Sequence, residues 1–582
     1  MKKPRAISRT SIHLGAAALL FVSVSAAAQA ELPRIPEFSI SSPSGSYLAA
    51  RIARAERDVS VASAYYRSVL RNDPKNPDLL ELTFLVTLQS GAAEEAFPLA
   101  ERLIAIDKAH RIARLALGVK ALKTNQFPQA RTHLAIAGQG PIADLTATLL
   151  SGWSWYGSNN FKNGLAQIDK LSGPEWYNVY KDLHAGLMLD LSNQRGDALK
   201  RLERVRSIDP NSLRNIDAYA RMLARAGREA EAEKLYGQFA PLARHPLIDN
   251  ALAELKNGTK LAPLVANASA GASEVLYGIG AALSQEPGGE DLGMVYLQLA
   301  IYLNPEHPLA VVALGTLFET TKKYEMAIET YDRVPQNSAL KRKAMIQRAL
   351  NLEILDRKDE ARERLQAIAE EKPDDLEALF AYANVLRVAK RYAEAADVYS
   401  KMIVLLGEPK REHTQIYYFR GMSYERAKQW ALAEKDFQLA LKLVPDNPQV
   451  LNYLGYSWVD QGINLDQALE MIRKAVALRP KDGYIIDSLG WAYYRLGRFE
   501  EAAAELEKAI VLTPSDPTIN DHLGDAYWKT DRKLEARFQW ARALENKPEP
   551  EDLPKIEKKL KDGMADEPVP PRAEDPKNPD KG

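Results

Sequence analysis

The residues of this chain that could do chemistry are most concentrated near its C-terminal end, in the stretch DGYIIDSLGWAYYRLGRFEEAAAELEKAIVLTPSDP. This stretch runs from Asp482 to Pro517 and combines aromatic, acidic and arginine side chains. Of the eight tryptophans, Trp491 lies in this stretch and Trp528 lies in the segment that follows it. Aromatic residues flanked by charges are compatible with a chemical site and equally with one unit of a repeated structure.

The sequence contains none of the patterns that usually mark a catalytic or metal site. It has no phosphate loop, no G-x-S-x-G elbow, no H-E-x-x-H pair and no calcium loop. Paired carboxylates such as Glu500 and Glu501 fall at predicted helix starts, where they complement the helix dipole. The eight histidines are scattered, without a second histidine at ligand spacing. We therefore predict that the chain is not an enzyme and binds no cofactor or metal.

Composition narrows the remaining functions. The chain has 582 residues, of which 46% are hydrophobic and 26% charged, a balance typical of globular proteins. Its 77 basic residues equal its 77 acidic residues, so we expect no bulk attraction to nucleic acid. The absence of cysteine excludes disulfides, thiolate metal sites, a cysteine nucleophile and a lipidated cysteine.

The first thirty residues have the pattern of a secretory signal. Basic residues are followed by the apolar run LGAAALLFVSVSAAA and by the small-x-small triplet Ala28–Ala30. We expect cleavage after Ala30 and a periplasmic or secreted protein. No later segment has 18 uninterrupted apolar residues, so we expect no transmembrane segment in the mature chain.

The elements that position the candidate residues follow from an internal repeat. Leu489-Gly490 recurs as Leu523-Gly524 after 34 residues, and Gly455 follows Gly421 at the same interval. The frame extends upstream to about residue 43 and gives fourteen candidate units, six and then eight. Small residues at these positions let the two helices of a pair approach closely. This explains why neighbouring units also have glycine at the position of Gly490.

A period of 34 with Leu489, Gly490, Tyr493, Ala502 and Pro514 at these spacings resembles the tetratricopeptide repeat family over about residues 43–550. The resemblance implies an all-α fold, a superhelical solenoid of antiparallel helix pairs with about fourteen repeats in two arms. The predicted boundaries are a signal at 1–30, a leader at 31–42, a first array at 43–246, an irregular joint at 247–273, a second array at 274–550, and a capping helix with a disordered charged tail at 551–582.

Local signals predict how the pairs are joined. Gly497 suits the left-handed residue that ends a first helix, and Asp516-Pro517 suits the cap and first position of the next pair. The segment Leu406–His413 adds four residues and predicts a longer loop. Tyr493 is expected in the core.

The resemblance also implies that the first helix of each pair lines an inner concave surface. Carried over position by position, it assigns partner binding to Tyr484, Asp487, Trp491, Tyr494, Arg495, Asn452, Tyr456, Asp521, Asp525, Trp528, Tyr418, Arg426, Phe380, Asn384 and Arg387. Aromatic, amide and arginine side chains on one surface suit an extended peptide. The alternative is that each aromatic residue packs only against its neighbours.

The segment LNYLGYSWVDQGINLDQALEMIRKAVALRPKDGYIIDSLGWAYYRLGRFEEA looks like exported many-repeat proteins of Gram-negative bacteria. Among these are lipoprotein adaptors that deliver substrates to carboxy-terminal processing proteases in the cell envelope. This resemblance implies a periplasmic adaptor or scaffold, although the lipidated cysteine of those adaptors is missing here. Two alternatives stay open, a scaffold for exopolysaccharide export or envelope assembly, and an enzyme that uses the repeats to bind its substrate.

Overall fold

The computed structural model describes residues 42–239 and 245–564. These residues form thirty α-helices and one 3-10 turn, and no strand occurs among them. The predicted all-α class and the solenoid of helix pairs are therefore confirmed. None of the described helices is both long enough and apolar enough to cross a membrane. The predicted signal at 1–30 and the charged tail from residue 565 lie outside the described residues.

The chain divides into two compact units that join at residues 364 and 365. The first unit contains α1 (Pro43–Ala55), α2 (Val59–Asn72), α3 (Pro77–Gln89), α4 (Ala93–Ile106), α5 (Arg111–Lys123), α6 (Phe127–Ala137), α7 (Pro141–Gly157), α8 (Phe161–Asp169), α9 (Tyr177–Leu191), α10 (Arg195–Ile208), α11 (Leu213–Arg225), α12 (Glu229–Phe239), α13 (Pro246–Lys256), α14 (Ala268–Leu283), α15 (Glu290–Leu303), α16 (Pro308–Thr320), α17 (Tyr324–Asp332) and α18 (Lys341–Ile354). The join lies inside α19 (Lys358–Glu371).

The second unit continues with α20 (Leu376–Val388), α21 (Tyr392–Leu406), the 3-10 turn Arg411–His413, α22 (Thr414–Arg426), α23 (Trp430–Leu443), α24 (Pro448–Gln461), α25 (Leu465–Leu478), α26 (Gly483–Arg495), α27 (Phe499–Leu512), α28 (Pro517–Lys529), α29 (Lys533–Glu545) and α30 (Leu553–Asp562). The segment 247–273, predicted as a joint between two arms, lies within the first unit. It comprises most of α13, a non-helical stretch and the start of α14.

The predicted turn chemistry is present at the pair that contains α26 and α27. Gly497 has a φ of +74°, a conformation that costs glycine little and other residues more. The Asp516 side chain accepts a hydrogen bond of 2.9 Å from the Ile519 amide, and Pro517 opens α28. The local signals at these positions are therefore confirmed.

The helices of this pair meet where the small residues were predicted. A Cβ atom on Gly490 would lie 2.5 Å from Leu506 Cγ and 3.3 Å from the Ala502 carbonyl oxygen, too close for any larger side chain. Tyr493 is 8% exposed, and the Arg498 guanidinium lies 4.5 Å from the centre of its ring. Tyr493 is thus a core residue, as predicted.

One helix pair of the first unit departs from sequential stacking. Helices α14 and α15 pack against α3, α4, α5, α7 and α9, which precede them by more than seventy residues. All of these except α4 are first helices of their pairs, so α14 and α15 cover the inner face of the first array. This return of the chain was not predicted from the repeat pattern.

Hydrogen bonds fix α15 to the covered face. The Gln298 side chain donates to the Gln89 carbonyl oxygen at 2.9 Å, and the Gln89 side chain donates to the Asp291 carbonyl oxygen at 3.2 Å. The hydroxyls of Thr146 and Tyr296 are 3.2 Å apart and buried. Buried polar groups that satisfy each other in this way specify one arrangement of the two surfaces.

A buried carboxylate fixes α14. Glu274 is 2% exposed and accepts two hydrogen bonds from the Arg214 guanidinium, at 2.6 and 2.5 Å. His307 Nε2 lies 3.0 Å from the same carboxylate. Burial alone would raise the pKa of Glu274, but the Arg214 charge outweighs it and holds that pKa well below the usual range. The contact therefore joins α14 to α11 through a permanent ion pair.

At Gly271, α14 approaches the array closely and lies directly against the indole ring of Trp153. A Cβ atom at this position would overlap the ring, and Trp153 is fully buried and has no room to move aside. We expect Gly271→Ala to destabilise the first unit by about 1–3 kcal/mol, the usual cost of overpacking, with a lower urea midpoint as the measurement.

Gly196→Ala is the matched control for this substitution. Gly196 lies in the first turn of α10 with open space around its Cα, so alanine there should leave the free energy of unfolding unchanged or raise it by less than about 1 kcal/mol. Equal effects of the two substitutions would show that α14 does not pack tightly on the array.

Candidate binding groove of the second unit

The predicted partner-binding residues all lie on α20, α22, α24, α26 and α28, the first helices of five successive pairs. The helix pairs from α20 to α29 follow a curve. Its two ends meet where the Lys390 ammonium, just after α20, lies 3.3 Å from the Glu549 carboxylate, just after α29. We refer to the surface formed by these five helices as the groove. It can be followed from Phe380 to Trp528.

The first part of the groove is largely an aromatic core. The Phe380 and Phe419 rings are 5.9 Å apart, and the Arg387 guanidinium lies 4.7 Å from the centre of Phe419. Asn384 Oδ1 accepts a hydrogen bond of 2.8 Å from the Tyr399 hydroxyl of α21. Asn384 therefore holds its own helix pair together, and only Arg387 of the three predicted residues on α20 has a polar group without a hydrogen bond.

Tyr418 belongs to the same aromatic core. Its ring lies 5.9 Å from Tyr453 in an edge-to-face arrangement, and burial raises its pKa to about 12. Tyr418 thus packs against its aromatic neighbours, which is the alternative to partner binding that the sequence left open.

The middle of the groove holds an open cavity of about 520 Å³ between α22 and α24. Arg426, Tyr456 and Asp460 are among the residues that line it, so it carries charges of both signs beside an aromatic ring. Asp460 also forms an ion pair of 3.1 Å with Arg495 of α26. The cavity has the size and the mixed lining of a site for a few side chains of a partner.

The next step of the groove is an aromatic stack around Trp491. Its ring lies 4.8 Å from Tyr494 with an interplanar angle of 8°, and 4.0 Å from His522 with an angle of 16°. His522 Nδ1 is in turn 2.9 Å from Asp487 Oδ1, and both residues are buried. Asp487 therefore serves an internal ion pair, while Trp491 and Tyr494 form a stacked pair of rings, which we call the aromatic platform. Tyr484, at the start of α26, is 38% exposed.

His522 is a groove residue that was not predicted, because in the sequence it is one of eight scattered histidines. A usable signal was present, because Asp487 and His522 are 35 residues apart, as are Asp460 and Arg495. In a 34-residue repeat, a separation of 35 places two residues on neighbouring first helices. Complementary groups at that spacing indicate a pair between repeats.

The last part of the groove is covered by the chain itself. Lys559 of α30 lies 2.5 Å from Asp521 and 2.8 Å from Asp525. The Trp528 indole nitrogen donates to the Met564 carbonyl oxygen at 3.1 Å. Burial and the neighbouring Asp521 charge raise the pKa of Asp525, although Lys559 opposes both. In this structure Asp521, Asp525 and Trp528 thus hold the C-terminal helix.

Three polar atoms on the groove helices α20, α24 and α26 have no hydrogen-bond partner within the described structure. They are Arg387 Nε, Asn452 Oδ1 and Trp491 Nε1, each on a different first helix. A shielded polar atom without a partner costs about 1–3 kcal/mol. A ligand that supplied two acceptors and a donor along this line would recover that free energy. The described residues contain no group of three or more side chains suited to hold a metal.

Family models match this chain in several places. A model described as TPR repeat matches residues 490–531. One model described as tetratricopeptide repeat matches residues 47–111 and 348–407, and a second with the same description matches residues 414–447. The matched segments lie in both compact units.

Known proteins similar to this chain carry the same repeat. The TPR repeat-containing protein PA4667 of Pseudomonas aeruginosa is 32% identical over 194 residues, which cover 32% of this chain and 31% of that protein. The chain thus matches about a third of the length of this relative.

Among solved structures, the Cut9–Hcn1 hetero-tetramer of APC/C matches 90% of this chain and 97% of its own, with 15% identity and a TM-score of 0.37. The structure of a tetratricopeptide repeat protein from Parabacteroides merdae covers 42% of this chain and 95% of its own chain, with 16% identity and a TM-score of 0.37.

The buried pair beside Trp491 predicts a pH dependence of stability. Burial lowers the pKa of His522, but Asp487, with Asp521 and Asp525 behind it, outweighs burial and raises that pKa above 6.5. Because the pKa of His522 is higher in the folded protein than in the unfolded chain, the pair stabilises the fold fully below about pH 6.5. This stabilisation is lost as the pH rises through the pKa of His522 in the folded protein.

Asp487→Asn should remove most of this stabilisation. The difference in free energy of unfolding between the native protein and the variant should therefore be largest near pH 6 and shrink toward pH 9. Urea unfolding at several pH values measures it. Parallel pH profiles for the two proteins would show that the histidine is not charged through Asp487.

Proposed function

Because the chain belongs to the tetratricopeptide repeat family, whose arrays are protein-interaction scaffolds, we propose that its groove binds an extended peptide segment of a partner protein. The observation that carries the proposal is the row of unpaired polar atoms on Arg387, Asn452 and Trp491, set among aromatic side chains. These groups match the alternating donors and acceptors of an extended backbone.

The first unit supports this assignment by exclusion. Its inner face is filled by α14 and α15, and α14 is also held to α11 by the buried contact between Glu274 and Arg214. Displacing those helices would separate Glu274 from Arg214 and open the packed contact of Gly271 with Trp153. The described residues of the second unit place no such internal ligand on α20, α22, α24 and α26, which supports its groove as the binding surface.

The aromatic platform supplies the anchor. Trp491 and Tyr494 are stacked and held from behind by His522, so they lose little rotamer freedom when a ligand arrives. Rigid aromatic anchors typically dominate an interface, each contributing about 2 kcal/mol or more when truncated. Arg426 and Asp460 beside the cavity would select charged side chains of the partner.

We further propose that the protein works in the periplasm as a non-enzymatic adaptor that brings envelope proteins to a carboxy-terminal processing protease. The support is the secretory pattern of residues 1–30 and the likeness of the segment 451–502 to exported many-repeat adaptors. The lack of a lipidated cysteine argues for a form that is not held by a lipid.

Capture from an envelope extract tests the groove. Purified mature protein, its Trp491→Ala variant and a Trp176→Ala control are used as bait, since Trp176 is an exposed tryptophan of the first unit. Loss of about 2 kcal/mol corresponds to roughly 30-fold weaker binding, so Trp491→Ala should lose the partner and Trp176→Ala should keep it. Equal recovery by all three proteins would refute the groove.

The adaptor role has its own readout in the same experiment. The native bait should recover a processing protease together with a second envelope protein, and Trp491→Ala should lose at least one of them. Recovery of a partner without any protease would refute delivery to a protease and leave peptide binding in place.

A further inference from the structure

We propose that the groove has an internal ligand: the proline-rich segment of this chain at residues 567–571 docks on Trp491 and Tyr494 and competes with the partner. The docking is argued from the described residues and the sequence, whereas its regulatory meaning rests on the proposed function of the groove. The segment reads EPVPP and follows Met564 by two residues.

The described chain ends on the groove. After α30 the backbone passes over the indole of Trp528, whose nitrogen donates to the Met564 carbonyl oxygen at 3.1 Å. Gly563 has a φ of +76°, and a Cβ atom there would overlap the Trp528 ring. Lys559 anchors the preceding turn between Asp521 and Asp525. The chain is therefore positioned at the end of the groove with eighteen residues still to follow.

The next position along the groove repeats the chemistry that holds Met564. Tyr494 precedes Trp528 by 34 residues and so occupies the same position one repeat earlier, with Trp491 stacked on it. Trp528 donates its indole hydrogen to a backbone carbonyl, whereas Trp491 Nε1 has no acceptor in the described structure. A second carbonyl from the same segment would satisfy it.

The segment is within reach of this donor. Helices α26 and α28 are in contact, and packed helices have axes about 8–10 Å apart. Four residues in extended conformation span about 13 Å. Residues 565–568 are therefore long enough to cross from Trp528 to Trp491 and to place the prolines on the platform.

The sequence of the segment fits an aromatic platform with an indole donor. Pro568, Pro570 and Pro571 favour the polyproline II conformation, which exposes its carbonyl oxygens and lacks internal hydrogen bonds. Aromatic grooves bind such segments because the helix is already formed and loses little entropy on binding. Residues 565–582 carry three basic and five acidic residues, a net charge of −2.

A labelled peptide tests the docking. A fluorescein-labelled peptide of residues 565–582 is titrated into the mature full chain and into a chain that stops at Met564, with fluorescence anisotropy as the readout. An attached segment competes at an effective concentration in the millimolar range, so the shortened chain should bind the peptide at least tenfold more tightly than the full chain.

Two further variants make the test specific. Trp491→Ala in the shortened chain should abolish binding, and Trp176→Ala should leave it unchanged. Replacing Pro568, Pro570 and Pro571 by alanine in the full chain should restore peptide binding to the level of the shortened chain. Circular dichroism melting of each protein excludes loss of folding as the cause of a negative result.

The inference is overturned if the peptide binds neither chain, binds both equally, or binds equally after Trp491→Ala. The outcome separates it from the proposed function. If the peptide fails to bind but partner capture depends on Trp491, the groove binds partners and has no internal ligand. If the peptide binds through Trp491 and the chain that stops at Met564 captures no partner, the internal ligand stands and the partner proposal falls.

Discussion

The structure depends on one packing constraint, repeated along the chain: a glycine of a first helix lies beneath a large side chain of its second helix, sixteen residues later. A Cβ atom on Gly315 would lie 2.6 Å from the Tyr331 ring, and Cβ atoms on Gly421 and Gly524 would be as close to Phe437 and Trp540. This contact sets the distance between the two helices of a pair. It also keeps the packing residues on one side of each first helix and leaves the opposite side for the inner face.

The two units use that inner face differently. In the first unit it is filled by α14 and α15, and the contact is a core interface with the buried Glu274 and with Gly271 against Trp153. In the second unit it carries an aromatic platform, a cavity with charges of both signs and unpaired polar atoms. The first unit is thus a self-filled module, and the second unit presents the surface on which the proposed binding rests.

Sequence periodicity predicted what is local. The helix pairs, the left-handed Gly497, the cap at Asp516 and the core position of Tyr493 all follow from a 34-residue frame and turn chemistry. The return of α14 and α15 did not follow, because its contacts join residues such as Gln89 and Gln298 that no repeat spacing relates. The same limit applies to Asp521, Asp525 and Trp528: their inward positions were predicted, but their cover by α30 depends on how the chain ends. The binding role of the groove residues stays a prediction.

The central claim is that partners bind in the groove of the second unit, and site-specific photo-crosslinking in cells tests it most directly. A photoreactive amino acid is placed at Gln461, beside the cavity, and in a second protein at Val511, which is 79% exposed on the second helix α27. The account predicts a discrete cross-linked partner from position 461 and none from position 511. A partner cross-linked from position 511 and absent from position 461 would contradict it.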